Sequence, residues 1–204
     1  MDYETDCQSA GWLISFSLDD CAHRVMKPPE TLRTARLVLR KPTREDAPLM
    51  FASYGQDHEV AHYVPWRPHT CVSDSEAVIG RFLDLWRDEC GFHWLLFQHG
   101  GSELMGAIGV RGEAHRLELG YVLARRYWGC GFMAEAVTAV VDWAFTEPSV
   151  LRVGAVCDID NQRSAHLLER AGFEREGVLR SWAVHPNISA TPRDCYSYSK
   201  IRNI

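Results

Sequence analysis

"RRYWGCGFMAEAVTAVVDWAF", residues 125–145, sets Gly129 and Gly131 between a basic aromatic cluster and a long amphipathic run. Glycine weakens a helix by about 0.5–1 kcal/mol relative to alanine, so glycines at this place serve something other than helix strength. Met133, Ala136, Val137, Val140, Val141 and Ala144 recur at helical spacing and predict a helix that starts near Gly131 and buries one face. A strand ending near Leu123, the loop 124–131 and that helix gather unpaired backbone amides at the positive end of a helix dipole, an arrangement suited to a phosphate or pyrophosphate. Gly129 and Gly131 let the backbone approach such an anion, and Arg125 and Arg126 bring positive charge. A tight strand-to-helix turn with no ligand explains the same spacing. The stretch lacks the G-x-G-x-x-G of a dinucleotide fold and the Gly-Lys-Ser/Thr of a Walker A loop.

Outward from this stretch, "RLVLRK" (36–41) alternates as a strand, and the helical segment 43–55 carries Thr43 and Asp46 as in a capping box. Residues 74–89 place Val78, Phe82, Leu85 and Trp86 on one helical face. Segments 92–98 and 103–112 read as a hairpin joined at Gly100-Gly101. Strand 116–125, the quoted helix, strand 150–158, a helix over 161–172 ended by Gly172, and two closing strands follow. The pattern predicts an α/β fold of the α+β type: a mixed, largely antiparallel twisted sheet of about seven strands with helices on both faces.

The chain of 204 residues suits one domain over 31–204, preceded by an unlike segment, 1–30, read as an N-terminal extension. A net charge of -5 gives no sign of a nucleic-acid partner. The seven cysteines are scattered without a C-x-x-C pair, which fits reduced thiols in a cytoplasm. Acidic Asp2, Glu4 and Asp6 stand where a secretory signal is basic, and no apolar run reaches the roughly 18 residues of a membrane span, so no membrane association is expected.

"RRYWGCGFMAEA" resembles the R-x-x-G-x-G/A loop of the GNAT acyltransferase superfamily, with Arg126, Gly129 and Gly131 at the pattern positions. The longer frame "LELGYVLARRYWGCGFMAEAV" followed by "NQRSAHLLERAGFEREGVLR" is similar to the RimJ/RimL-type branch, from about residue 31 to the C-terminus. The resemblance implies an acetyl-CoA-dependent N-acyltransferase acting on a primary amine, either a protein N-terminus or a small molecule. It places the pyrophosphate on the loop from Arg125 and Arg126 through Trp128, Gly129, Cys130, Gly131, Phe132 and Met133. It also implies pantetheine contacts from the main chain of Val122 and Leu123, and from Asn161 and Ser164. Asn161 reads equally as a helix N-cap. A homodimer is in keeping with the branch.

Acetyl transfer to an amine needs a base to take the amine proton and an acid to return one to the CoA thiolate; it needs no metal. The tyrosine that many family members use as acid falls on Leu168, so the resemblance offers Ser164 for that role. Glu118 is the candidate base, since alternation sets it opposite Leu117 and Leu119, and a dry cleft raises a carboxylate pKa. His185 and Asp194 are the other candidates. Segments 62–69 and 181–189, rich in aromatic and histidine residues, are candidate walls for the acceptor. Two other readings stand beside the N-acetyltransferase: a CoA-binding sensor or interaction module without transfer, and a transferase using another acyl-CoA such as succinyl-CoA.

Overall fold

Each strand and helix expected from periodicity has its counterpart in the computed structural model, which describes residues 27–113 and 115–202. The strands are β1 (Thr31–Arg33), β2 (Leu37–Arg40), β3 (Gly91–Gln98), β4 (Gly106–Glu113), β5 (Arg116–Leu123), β6 (Arg152–Asp158), β7 (Glu174–Ala183) and β8 (Arg193–Ile201). The helices are α1 (Ala47–Met50), flanked by a 3-10 turn and a π turn, α2 (Val72–Arg87), α3 (Phe132–Ala144) and α4 (Gln162–Arg170). The sheet has eight strands in the order β1-β2-β3-β4-β5-β6-β8-β7. One more strand is present than expected: β1, whose three residues are too few to show an alternation. Neighbours are antiparallel except β5 and β6, which run parallel.

The period-2 pattern sorts side chains between two cores. Leu37, Leu39, Trp94, Leu96, Ile108, Val110, Leu117 and Leu119 pack with the apolar stripe of α3 and with Ala165 and Leu168 of α4. Leu95, Phe97 and Ala107 point the other way, toward Met50 of α1 and Ile79 of α2. The sheet is therefore covered on both faces, as expected.

The parallel pair positions the site. β5 and β6 are joined only at Arg116↔Arg152, Leu117↔Val153 and Glu118↔Gly154. Beyond Glu118, β5 stays on β4 through Leu123, whereas β6 stays on β8 through Asp158, so the two strands part and leave an open strand edge between them.

Asp46 holds the start of the first helical segment. Its carboxylate accepts from Arg40 Nη1 (2.8 Å) and Nη2 (2.5 Å), and from the Thr43 amide (2.7 Å) and hydroxyl (3.1 Å). Burial pushes this carboxyl up, but the Arg40 and Thr43 hydrogen bonds together bring it below its ordinary value of 3.8. A depressed native pKa means that the stabilisation is present above the unfolded pKa and is lost as pH falls through the folded one. Asp46→Asn is expected to lose about 1.5–3 kcal/mol at pH 7, the usual worth of hydrogen bonds to a charged group. Urea unfolding checks this: the gap between wild type and variant narrows in acid, whereas an unchanged gap contradicts the assignment.

Residues 1–26, which hold most of the expected extension, lie outside the described residues. Near its expected boundary, the Pro29 carbonyl accepts from Trp94 Nε1 (3.0 Å) and Glu30 pairs with Lys41 (2.8 Å). Cys71, Cys130, Cys157 and Cys195 carry free thiols, whereas Cys90 is disulfide-bonded, which corrects the expectation of reduced thiols throughout. No helix among the described residues is long and apolar enough to cross a membrane.

Candidate active site

A cleft of about 900 Å³ runs through the gap between β5 and β6 and continues over the N-terminus of α3. At that end Gly129 and Gly131 have φ of 75° and 77°, the left-handed region that side chains disfavour. The first intrahelical bond of α3 runs from the Glu135 amide to the Gly131 carbonyl (3.2 Å), which leaves the amides of Phe132, Met133 and Ala134 outside the helical ladder. A Cβ on Gly129 would project into open space, so the bare backbone faces room for a ligand. These features fit a pyrophosphate.

Of the residues expected to bind the donor, Val122, Leu123, Trp128, Gly129, Gly131, Phe132, Met133, Asn161 and Ser164 line the cleft. Arg125, Arg126 and Cys130 are exposed and are not on its wall. Arg126 instead leans over Tyr127 (4.9 Å) and toward Glu103 (3.5 Å). The Leu123 carbonyl is taken by Trp128 Nε1 (2.8 Å). Asn161 is the N-cap of α4, its Oδ1 accepting from the Ser164 amide (3.2 Å), and it also faces the cleft, so the two readings of this residue are compatible.

Two arginines that sequence reasoning passed over support the loop. Arg36 donates to the Cys130 carbonyl (3.0 Å) and to Glu135 (2.6 Å), and its guanidinium lies 4.5 Å from the centre of the Phe132 ring. Arg163 stacks on Trp128 at 4.7 Å and lines the cleft, which brings positive charge to the glycine end.

Ser164 Oγ and Tyr121 Oη are 2.7 Å apart. Tyr121 was not among the expected residues; the signal available was a tyrosine on the apolar side of β5, because a buried phenol needs a hydrogen-bond partner. Burial raises its pKa, against the Ser164 hydrogen bond that lowers it, so the phenol stays protonated. Leu168 is fully buried in the α4 core, and Tyr121 brings a hydroxyl to Ser164 from the opposite wall. Burial likewise pushes Cys157, also on the cleft wall, up to about 11, which keeps that thiol neutral.

Glu118 stands where β5 and β6 part. Its neighbours Leu117 and Leu119 go into the α3 core, so alternation turns Glu118 to the α2 face, opposite to Tyr121. Burial raises its pKa, more than Arg111, Arg152 and Arg116 lower it. Acid and base candidates thus approach the gap from opposite faces of the sheet.

The two alternative bases differ. His185 lines the cleft, buried, with Nε2 3.5 Å from Asp158 Oδ2; burial lowers its pKa, so the ring is neutral. Asp194 does not reach the wall; its Oδ1 accepts from the Ser181 amide (2.8 Å). The two segments expected to wall the acceptor do meet: Asn187 Nδ2 donates to the carbonyls of Ala61 (2.6 Å) and Trp66 (2.8 Å).

Comparison with known proteins agrees with this geometry. A family model described as "Acetyltransferase (GNAT) domain" matches residues 36–174. The N-acetyltransferase YoaA of Bacillus subtilis is 33% identical over 174 residues, covering 84% of this chain and 96% of its own length. The [Ribosomal protein uS5]-alanine N-acetyltransferase of Escherichia coli is 30% identical over 170 residues, covering 78% and 86%. In fold, the chain superimposes on RimL, a ribosomal L7/L12 α-N-protein acetyltransferase solved with coenzyme A, with a TM-score of 0.76 over 84% of this chain and 98% of that one, at 19% identity. With its parted β5 and β6, its glycine loop at the start of α3 and these relatives, the chain belongs to the GNAT acetyltransferase family and is an N-acetyltransferase of the RimJ/RimL type.

Proposed function

We propose that this enzyme acetylates the α-amine at the N-terminus of a polypeptide, by direct attack in a ternary complex with Glu118 as base and the Tyr121–Ser164 pair as acid. The acyl donor is acetyl-CoA, which supplies an activated thioester carbon. One observation carries the reading: at the parting of β5 and β6, a carboxyl with a raised pKa stands on one face of the sheet and a hydrogen-bonded hydroxyl pair on the other.

Amides of the loop from Gly129 to Ala134, with Arg163 nearby, would hold the pyrophosphate; the open edge of β5 at Val122 and the side chain of Asn161 would hold the pantetheine arm. The acceptor reacts as the neutral amine, its ammonium proton having gone to solvent, and Glu118 takes the remaining N–H proton as the C–N bond forms. As the C–S bond breaks, Ser164 donates its proton to the departing sulfur and recovers one from Tyr121; Glu118 then releases its proton to solvent and Tyr121 takes one back, which resets the site. Base and acid are fixed groups on opposite faces of the sheet, so each serves one partner of the reaction, Glu118 the amine and Ser164 the sulfur. The acid pair and the carboxylate supply both proton transfers, which favours a transferase over a CoA-binding sensor. The relative that modifies ribosomal protein uS5 supports the α-amine.

The test is mass spectrometry of a peptide that carries both a free α-amine and a lysine, incubated with acetyl-CoA and enzyme. Acetylation at the α-amine is expected; modification of the lysine side chain alone contradicts the reading. Ser164→Ala and Tyr121→Phe are each expected to lower kcat about 10- to 100-fold, the worth of one hydrogen bond to a charged group, with the KM for acetyl-CoA kept. Because the two act as a unit, the double variant loses little more than either single one, and steady-state kinetics showing additive losses refute the pair.

A further inference from the structure

A second cavity, of about 120 Å³, lies on the α2 face of the sheet beside the cleft. Its floor is the β4–β5 pair at Gly109 and Gly120, which are register partners, so two adjacent strand positions carry no side chain. Tyr54, Trp66, Val78 and Phe82 form apolar and aromatic walls. His93 also lines it, stacked on Phe82 with ring centres 4.1 Å apart, and the ring fits there because Gly109 has no Cβ: one would come within 2.2 Å of Nδ1. Burial, with Arg111 adding to it, drives the His93 pKa down to about 3, and burial lowers that of His69, so neither ring brings charge. Arg81 and Arg111 are the charged residues on the wall, and both are cationic.

The cavity and the cleft share Arg111, Gly120, Tyr121 and Val122. Gly120 is two residues beyond Glu118 and on the same face of β5, a separation of about 7 Å along a strand. A substituent on the carbon that bears an amine held at Glu118 can therefore enter the cavity. Its volume is below that of a dry cavity of about 150 Å³ that takes benzene, which favours an aliphatic group over an indole.

We propose that this cavity is the subsite for an uncharged aliphatic side chain on the carbon next to the reacting amine, so that N-termini beginning with residues such as valine or leucine are the preferred acceptors. The assignment rests on the reading of the cleft as the acetyl-transfer site with the amine at Glu118. Lysine and polyamine acceptors are disfavoured by Arg81 and Arg111, and glycine leaves the cavity without apolar contact.

The test is kcat/KM for pentapeptides that differ only in their first residue: glycine, alanine, valine, leucine, tryptophan or lysine. Valine and leucine are expected to exceed glycine by about tenfold or more, with tryptophan and lysine no better than glycine. Val78→Phe, which fills the cavity, removes the advantage while glycine peptides keep their rate. Phe82→Ala, which enlarges it, moves the preference toward tryptophan. Conjugates in which the CoA sulfur is joined through an acetyl linker to each peptide report the same order as affinities, by calorimetry and without turnover. Peptides acetylated with a flat dependence on the first residue overturn the subsite and leave the acetyltransferase reading standing. Acetyl-CoA binding with no peptide turned over overturns the α-amine reading instead, and the conjugate series then decides the subsite by itself: equal affinities refute it.

Discussion

Replacing Gly129 by valine weakens acetyl-CoA binding at least 100-fold and leaves the protein folded. Two effects act together. The φ of 75° is strained for any side chain and most of all for a β-branched one, so the loop relaxes away from the conformation that presents its amides. The new side chain also projects into the open space where the ligand must lie. Loss of two charge-assisted hydrogen bonds, each worth about 1.5–3 kcal/mol, accounts for a change of this size. Gly129 is exposed, which limits the damage to the fold. Gly100→Val is the matched control: Gly100 has a φ of 69° and equally open surroundings, but it sits in the β3–β4 turn, away from the cleft. Calorimetry should find acetyl-CoA binding intact in Gly100→Val and lost in Gly129→Val. Equal binding in the two variants would mean that the glycine loop is only a turn.

Glu118→Gln should lower kcat by about 10²–10⁴ while acetyl-CoA binds as before, because a glutamine keeps the shape but accepts no proton. The pH dependence separates a base from a structural carboxylate. The acceptor's own α-amine, with a pKa of about 7.7–8.0, gives one acid limb in the profile of kcat/KM for wild type and variant alike. A second limb belongs to Glu118, whose pKa burial raises from its ordinary 4.5. Since the base works only when ionised, activity falls as pH drops through that raised value, and this limb is absent in the glutamine variant. If the second limb persists in Glu118→Gln and disappears in His185→Gln, the buried histidine on the cleft wall is the base.

What could be read from the sequence was whatever depends on neighbours along the chain. The α3 stripe from Met133 to Ala144 is buried as its spacing implies, and the glycines before it take the left-handed conformation that only glycine adopts freely. Glu118 could be placed by alternation with Leu117 and Leu119. What escaped depends on distant parts of the chain. Tyr121 shares the apolar face of β5, and nothing local says that its hydroxyl meets Ser164, 43 positions later. Arg125 and Arg126 adjoin the loop in sequence, yet their side chains turn outward, and the arginine that braces the loop, Arg36, comes from 94 positions before Cys130. The apolar cavity under α2 needs β4, β5 and the loop around Trp66 together, so no single segment announces it.

The most direct test of the central claim, that backbone groups of the glycine loop and of the open β5 edge hold acetyl-CoA, is amide hydrogen exchange with and without acetyl-CoA. Slower exchange is expected over residues 129–134 and along β5 beyond Glu118, with α2 and the β3–β4 turn unchanged. Protection that leaves both the loop and the β5 edge untouched would contradict the account.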